Sequence, residues 1–385
     1  MEPSFFLSTP VNLPDPGRIA KLGYNPLTMP RETPDPVAIA TALAKRVMGQ
    51  ETAVREMAVA LAKHLAGLRV GNILMIGSSG TGKTTLMRAV EGFLASDPAL
   101  ASRSAVIRIH ANVLGEEAAR LRPGEAVVGR LLERAREQLG PGAPVPELVA
   151  RAAHGLVFVD EVDKIRTQIG GQPHIPGIRA QEALLTLIEN EAVPVTLPAW
   201  AGGGTATIDS SGLLFVCAGA FEGLYDAVFD RVTIGRDRGA LQPVTVVEGG
   251  KVREELIFEL RAWLRNEDLF DYGMSPQFLS RFDAVVLLAN LSVDQLVNIF
   301  LEAPESALHQ TRAYFESRGV HLAVSPAAVR RIATEASREP RLGARALKEV
   351  FRRVIRDYEY DPKKAITGAD GALLLDVGEV EEALG

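Results

Sequence analysis

The chain has 385 residues, 47% of them hydrophobic and 23% charged, with 35 Gly, 23 Pro and a single Cys; at roughly 100–200 residues per domain this makes two or three domains with ample material for a core. Such a composition excludes a disordered chain, a collagen-like repeat and a disulfide-stapled scaffold, and one cysteine makes neither an internal bridge nor a zinc cluster. A net charge of −6 gives no overall attraction to nucleic acid or to an anionic membrane. No apolar stretch reaches the 18 or more residues of a membrane span, and Glu2 stands where a signal peptide would be basic, so the expected location is the cytoplasm.

Eight of the 23 prolines fall within residues 1–36, where few apolar residues show helical or strand spacing. This segment reads as a Pro-rich amino-terminal arm, either a flexible tail or a docking arm for a neighbour. Asp35-Pro36 is an N-cap followed by proline at the first helical position, and good helix formers continue to about Gly67 with a break at Met48-Gly49-Gln50. Short apolar runs then alternate with amphipathic stretches. NILMIG (72–77) precedes a helix from Lys83 that carries Leu86, Val90, Phe93 and Leu94 on one face. AVIRI (105–109), helical EAVVGRLLERAREQL (125–139), GLVFVDE (155–161) and GLLFVCAGA (212–220) follow. Continuous β-rich runs separated by helices predict an α/β fold with a parallel sheet buried on both faces by helices. The expected large α/β subdomain spans residues 37–288.

Beyond about Asn290 the pattern is helical, which predicts a small α-helical lid over residues 289–385. Ser292 with Gln295 forms a capping box, Ser325-Pro326 opens a further helix, and residues 343–359 place Leu347, Val350, Phe351, Val354 and Tyr358 on one side.

The strongest chemical signal is GSSGTGKT, comprising Gly77, Ser78, Ser79, Gly80, Thr81, Gly82, Lys83 and Thr84, followed by Thr85. It matches G-x-x-x-x-G-K-[ST] in full, with an apolar strand before it and an amphipathic helix after it. Backbone N–H groups of such a turn and the positive helix end cradle phosphate oxygens, Lys83 neutralises β and γ charge, and Thr84 coordinates Mg²⁺. The second signal is LVFVDE (156–161), a buried strand that presents Asp160 to the metal ion and Glu161 to the attacking water. Together the two motifs predict an NTPase that uses Mg²⁺. The six histidines show no metal-ligand spacing, and Cys217 reads as a small buried hydrophobe.

RVMGQETAV (46–54), NILMIGSSGTGKT (72–84), GLVFVDEVDKI (155–165), QEALLTLIE (181–189), LLFVCAGAF (213–221), PQFLSRFD (276–283) and LGARALKEV (342–350) occur in the order and spacing of the ClpX family. Over about residues 36–360 the chain therefore resembles the AAA+ ATPases of the Clp/HSP100 group. The resemblance implies that Val47, Met48, Gly49 and Gln50 form the segment that contacts adenine, and so that the nucleotide is ATP. It implies that Arg281 is the arginine finger reaching the γ-phosphate of the neighbouring subunit, and that Arg345 is the sensor-2 arginine reading the nucleotide of its own subunit. A finger acting between subunits implies a homo-oligomer, a hexamer by resemblance. The alternatives are a surface salt bridge for Arg281, with Arg231, Arg236 or Arg238 as rival fingers, and a solvated basic stripe for Arg345.

Four departures set the chain apart from that family. The amino-terminal zinc-binding domain of ClpX needs four cysteines. The aromatic pore loop corresponds to Ala118-Ala119-Arg120-Leu121, which cannot grip a polypeptide through aromatic contact area. The basic second pore loop corresponds to the uncharged PAWAGGGTA (198–206), where Trp200 is either packed or presented to a partner. The peptidase-docking Ile-Gly-Phe loop corresponds to DRVTIGRDRGA (230–240), which has no phenylalanine and argues against that peptidase as a partner. GLLFVCAGA also ends without the asparagine or threonine that many AAA+ proteins use as sensor 1. The expected function is an ATP-driven remodeller of a protein partner or assembly. The alternative is a nucleotide-switched scaffold whose ATP state controls oligomerisation and partner binding. A nucleic-acid-acting machine is a distant third reading, hinted at only by Arg120 and Arg122.

Overall fold

Asp35 accepts a hydrogen bond from the Val37 amide (3.1 Å), and Pro36 fixes the first turn of α1 (Pro36–Ala44). The computed structural model describes residues 34–101, 103–117, 124–189, 192–201, 203–235, 237, 244–248, 251–255, 258–362 and 372–385. Almost the whole proline-rich arm, the first pore-loop segment 118–121 with Arg122, and the rival fingers Arg236 and Arg238 thus lie outside the described residues.

After the break at Met48-Gly49-Gln50 the chain forms α2 (Glu51–Leu65), β1 (Asn72–Ile76), α3 (Lys83–Ala95), β2 (Val106–His110), α4 (Glu125–Leu139), α5 (Val145–Ala153) and β3 (Leu156–Asp160). Then come α6 (Ile175–Glu189), a hairpin of β4 (Val193–Thr196) and β5 (Thr205–Ile208), β6 (Leu214–Gly219), α7 (Leu224–Thr233) and β7 (Phe282–Leu287). The central sheet has the order β7-β1-β6-β3-β2 and is parallel throughout. Alternation along each strand serves two cores. Ile73, Met75, Phe158 and Val216 face α1, α2 and α3, whereas Leu74, Ile76, Val157 and Phe215 face α4, α5 and α6. Cys217 sits fully buried within the second of these cores, and burial pushes its thiol well above the ordinary range.

A third core is drawn wholly from Leu291 to Val380. It joins α8 (Val293–Glu302), α9 (Ala307–Glu316), β8 (His321–Val324), α10 (Pro326–Ser337), α11 (Ala344–Tyr360), β9 (Ala372–Leu375) and α12 (Val377–Leu384). Ser292 and Gln295 make the reciprocal capping bonds of α8, and Ser325 caps α10. On α11, Leu347, Val350, Phe351 and Val354 are buried and Tyr358 packs beside them.

Several strands depart from the sequence expectation, the β4–β5 hairpin among them. The edge strand β7 is a fifth member of the sheet, from an apolar run too short for periodicity to separate strand from helix. The lid is not purely helical, because β8 and β9 pair in parallel, His321 with Ala372 through Val324 with Leu375.

At the end of the sheet remote from the P-loop, the rings of His64 and His154 stack with centroids 4.1 Å apart. His64 Nε2 lies 3.1 Å from Ser104 Oγ, and His154 Nε2 donates to the His64 carbonyl (2.8 Å). Burial, reinforced by His154, lowers the His64 pKa from 6.5 to about 3. The unfolded chain therefore binds a proton that the folded chain refuses. The stability tied to neutral His64 is complete above pH 6.5 and is lost progressively as pH falls from there toward 3, at up to about 1.4 kcal/mol per pH unit. Thermal unfolding should show a lower Tm at pH 5.5 than at pH 7.5, and His64→Gln should flatten that dependence.

Candidate nucleotide site

The P-loop begins where β1 runs out at Ile76 and ends where α3 starts at Lys83. Gly80 and Gly82 hold φ of 72° and 107°, a region that side chains rarely adopt. Gly82 is the N-cap of α3 and supplies no side-chain cap, so the first amides of the helix stay open toward an anion. Thr81 Oγ1 donates to the Ser78 carbonyl (2.8 Å). Lys83 is only 8% exposed, and its ammonium folds onto the carbonyls of Gly77 and Ser78, the latter at 2.9 Å. Burial lowers its pKa to about 8, against an opposing pull from Asp160 and Asp163.

The carboxylates arrive on the neighbouring elements. Asp160, at the end of β3, accepts from Thr84 Oγ1 (3.3 Å) through one oxygen and from the Glu161 amide (2.9 Å) through the other. Glu161 has φ 59°, unusual for a residue with a side chain, and its carboxylate is about half exposed. Among the described residues there is no group of three or more His, Cys, Asp or Glu side chains placed to hold a metal ion by themselves. A P-loop magnesium site asks the protein for only a hydroxyl and a carboxylate, and Thr84 with Asp160 fit that donor set.

Two residues that the sequence reading passed over also belong here. His110 pairs with Asp160 across β2 and β3 and brings Nδ1 to 3.8 Å from Glu161 Oε2. Asp163, 1% exposed, accepts from the Ala220 amide (3.1 Å). A side chain at Gly219 would meet this carboxylate at 2.7 Å, so the strand end has no room for a polar sensor. Strand order brings in His110 with no local signal, whereas Asp163 stands only three residues after Asp160, in the turn that follows β3.

The lid reaches the P-loop through the turn Leu342-Gly343-Ala344-Arg345. The Ala344 amide donates to the Gly80 carbonyl (3.1 Å), and Arg345 Nη1 donates to Ser79 Oγ (2.5 Å). Between lid and P-loop lies a cavity of about 290 Å³ lined by Val47, Met48, Gly82, Thr85, Leu347 and Arg345 among others. Gln50 does not line it. Its amide is bonded at both atoms to Ala289, accepting from N–H (3.0 Å) and donating to C=O (2.9 Å), which pins the junction between the sheet and the lid. Gly49, at φ 74°, lies against Gln295 of α8.

Arg281 stands elsewhere. It precedes Phe282, which pairs with Asn72 at the start of β1, so five residues of strand separate it from Gly77. At about 3.3 Å per residue this is roughly 17 Å, beyond the reach of an arginine side chain into its own P-loop. Arg231 is consumed internally: its guanidinium bonds Asp268, Asp237 and the Trp263 carbonyl, and 12% of its side chain is exposed. Trp200 is half-buried beneath Arg136, whose guanidinium carbon is 4.5 Å from the ring centroid, so it is packed rather than presented.

Residues 68–285 match the family model of the AAA domain (Cdc48 subfamily), and residues 291–360 match the C-terminal, D2-small domain of ClpB protein. Over 350 residues the chain is 31% identical to the ATP-dependent Clp protease ATP-binding subunit ClpX 3 of Methylococcus capsulatus, covering 84% of this chain and 75% of that protein. The chain belongs to the ClpX-type AAA+ ATPases. It is 29% identical to the ATP-dependent Clp protease ATP-binding subunit ClpX of Azotobacter vinelandii (82% of this chain, 71% of that one), and 28% identical to that of Bacteroides fragilis (86% and 78%). As a AAA+ ATPase it binds nucleotide and hydrolyses ATP. Among the described residues no helix is long and apolar enough to cross a membrane.

A Cβ at Gly80 would lie 2.0 Å from the Leu342 carbonyl oxygen. Gly80→Ala should therefore push the lid off the P-loop and weaken binding of a fluorescent ATP analogue at least about tenfold, since αL strain of 1–2 kcal/mol adds to the clash. Thermal unfolding of the same variant should stay within a few degrees of the parent.

Proposed function

We propose that this ATPase works as a ring, hexameric by analogy with the family, in which each nucleotide is hydrolysed at a subunit interface to reshape or disassemble a protein partner without the Clp peptidase. The observation that carries this reading is the separation of Arg281 from the P-loop of its own chain. A hydrolytic site that needs this guanidinium is complete only when a second copy supplies it.

The remaining roles follow from position. Lys83, held near the phosphate pocket, exchanges its loop carbonyls for β- and γ-phosphate oxygens, and the open amides of α3 share that charge. Thr84 and Asp160 would hold Mg²⁺, which when bound neutralises phosphate charge. Glu161, exposed on its left-handed turn, accepts a hydrogen bond from the attacking water. Arg345 enters from the lid beside Ser79, so nucleotide state and lid position are linked. Val47 and Met48 provide the apolar wall for the base.

Absence of threading and of the peptidase is supported by sequence and packing. The β4–β5 hairpin carries no charge at its tip, and Trp200 lies under Arg136. The Ile-Gly pair at 234–235 is followed by Arg236 instead of phenylalanine. Ile234 is 74% exposed, and without a following phenylalanine it should retain no Clp peptidase in a pull-down.

Lys83→Ala should reduce ATP turnover to background, and normal hydrolysis in that variant would overturn the nucleotide-site reading. Arg281→Ala should retain nucleotide binding but lose about 10³-fold in turnover, the lower end of what a finger in trans supplies. Mixed Lys83→Ala and Arg281→Ala subunits should recover part of the activity, because each intact site can draw its arginine from the other variant. Glu161→Gln should trap bound ATP; partner remodelling should stop in this variant, whereas a scaffold switched by ATP binding would keep its partner. A tagged folded substrate should survive incubation with protein and ATP without processive unfolding.

A further inference from the structure

Arg281 is not an unsupported side chain. Its Nε donates to Glu189 Oε1 at 2.7 Å, and Nη2 lies 2.5 Å from the same oxygen, across 92 residues of sequence. The side chains are 47% and 38% exposed, and a pair this open contributes little to stability, about 0–1 kcal/mol. Its consequence is directional. An arginine carries about 2 kcal/mol of rotamer entropy, and one clamped guanidinium edge removes part of that cost before the other edge meets a phosphate.

Glu189 is the last residue of α6, and α6 is itself anchored. Gln181, 1% exposed, donates to the carbonyls of Ile165 (2.7 Å) and Gly273 (3.1 Å) and accepts from the Ser275 amide (2.9 Å). Ile165 closes the 3₁₀ turn Val162–Lys164 that follows Asp160 and Glu161. Ser275 caps the short helix Pro276–Leu279 that leads into Arg281. One helix therefore touches the turn behind the hydrolytic carboxylates of its own chain, the backbone that carries Arg281, and the Arg281 guanidinium.

We propose that Glu189 is a positioning residue for Arg281: it aims the guanidinium at the neighbouring subunit's nucleotide, and α6 ties that aim to the carboxylate turn of its own site. This rests on the reading of Arg281 as a finger acting in trans. Glu189 touches no substrate and acts only through the arginine.

The test uses the full chain with Glu189→Ala, Glu189→Gln, Arg281→Ala and the Glu189→Ala/Arg281→Ala pair, measuring steady-state hydrolysis, ATP-analogue affinity and Tm. Glu189→Ala should lower kcat about tenfold, within the range expected for a misplaced reacting group, with affinity and Tm unchanged. Glu189→Gln keeps a carbonyl acceptor for Nε and should restore most of the rate. The double variant should be no slower than Arg281→Ala alone. Wild-type turnover in Glu189→Ala beside a defective Arg281→Ala would overturn this proposal and leave the finger reading standing, as would a double variant distinctly slower than Arg281→Ala. Wild-type turnover in Arg281→Ala would remove the finger reading and this proposal together.

Discussion

One backbone hydrogen bond across the cleft, from the Ala344 amide to the Gly80 carbonyl, governs the nucleotide site. It requires glycine on both sides. A side chain at Gly80 would strike the Leu342 carbonyl, and one at Gly343 would come within 2.7 Å of the Gly80 carbonyl. This close approach delivers Arg345 to Ser79 and shapes the cavity against Val47 and Met48. Gln50 secures the opposite edge of the same cleft by bonding both backbone groups of Ala289. The lid is therefore held through main-chain groups at both edges of the cleft. Rotation about the junction must disturb the phosphate loop and the segment at 47–50 together.

The parallel sheet supplies the other constraint. Parallel strands end at one edge, so the P-loop after β1 and the carboxylates after β3 converge there, as ligands commonly do in open α/β sheets. Arg281 comes just before β7 and is consigned to the opposite edge. Strand direction alone thus keeps Arg281 away from the P-loop of its own chain.

What the sequence made legible was local. The GSSGTGKT loop, the Asp35-Pro36 start, the Ser292–Gln295 capping box and the Ser325 cap each depend on residues a few positions apart, and each is present. The sites it concealed arise from pairing between distant segments. β7 joins the sheet beside β1, more than 200 residues earlier in the chain; β8 finds β9 across the lid; His110 reaches Glu161 only because β2 lies beside β3. Gln50 shows the same limit from another side. Its place in a family motif suggested the base, but the fold commits its amide to Ala289. Glu189 ends a stretch that the family motifs include, yet nothing nearby in sequence announces its link to Arg281.

Cys217 gives the chain a chemical property unrelated to its catalytic work. It is the single cysteine, fully buried on the central strand β6, with a thiol held protonated by its surroundings. An alkylating reagent meets it only when the sheet opens, so the labelling rate of the unaltered protein reads the opening equilibrium of that layer directly. A cysteine introduced anywhere on the surface would then react alone, which makes the native chain its own blank for site-specific probes of lid and finger movement.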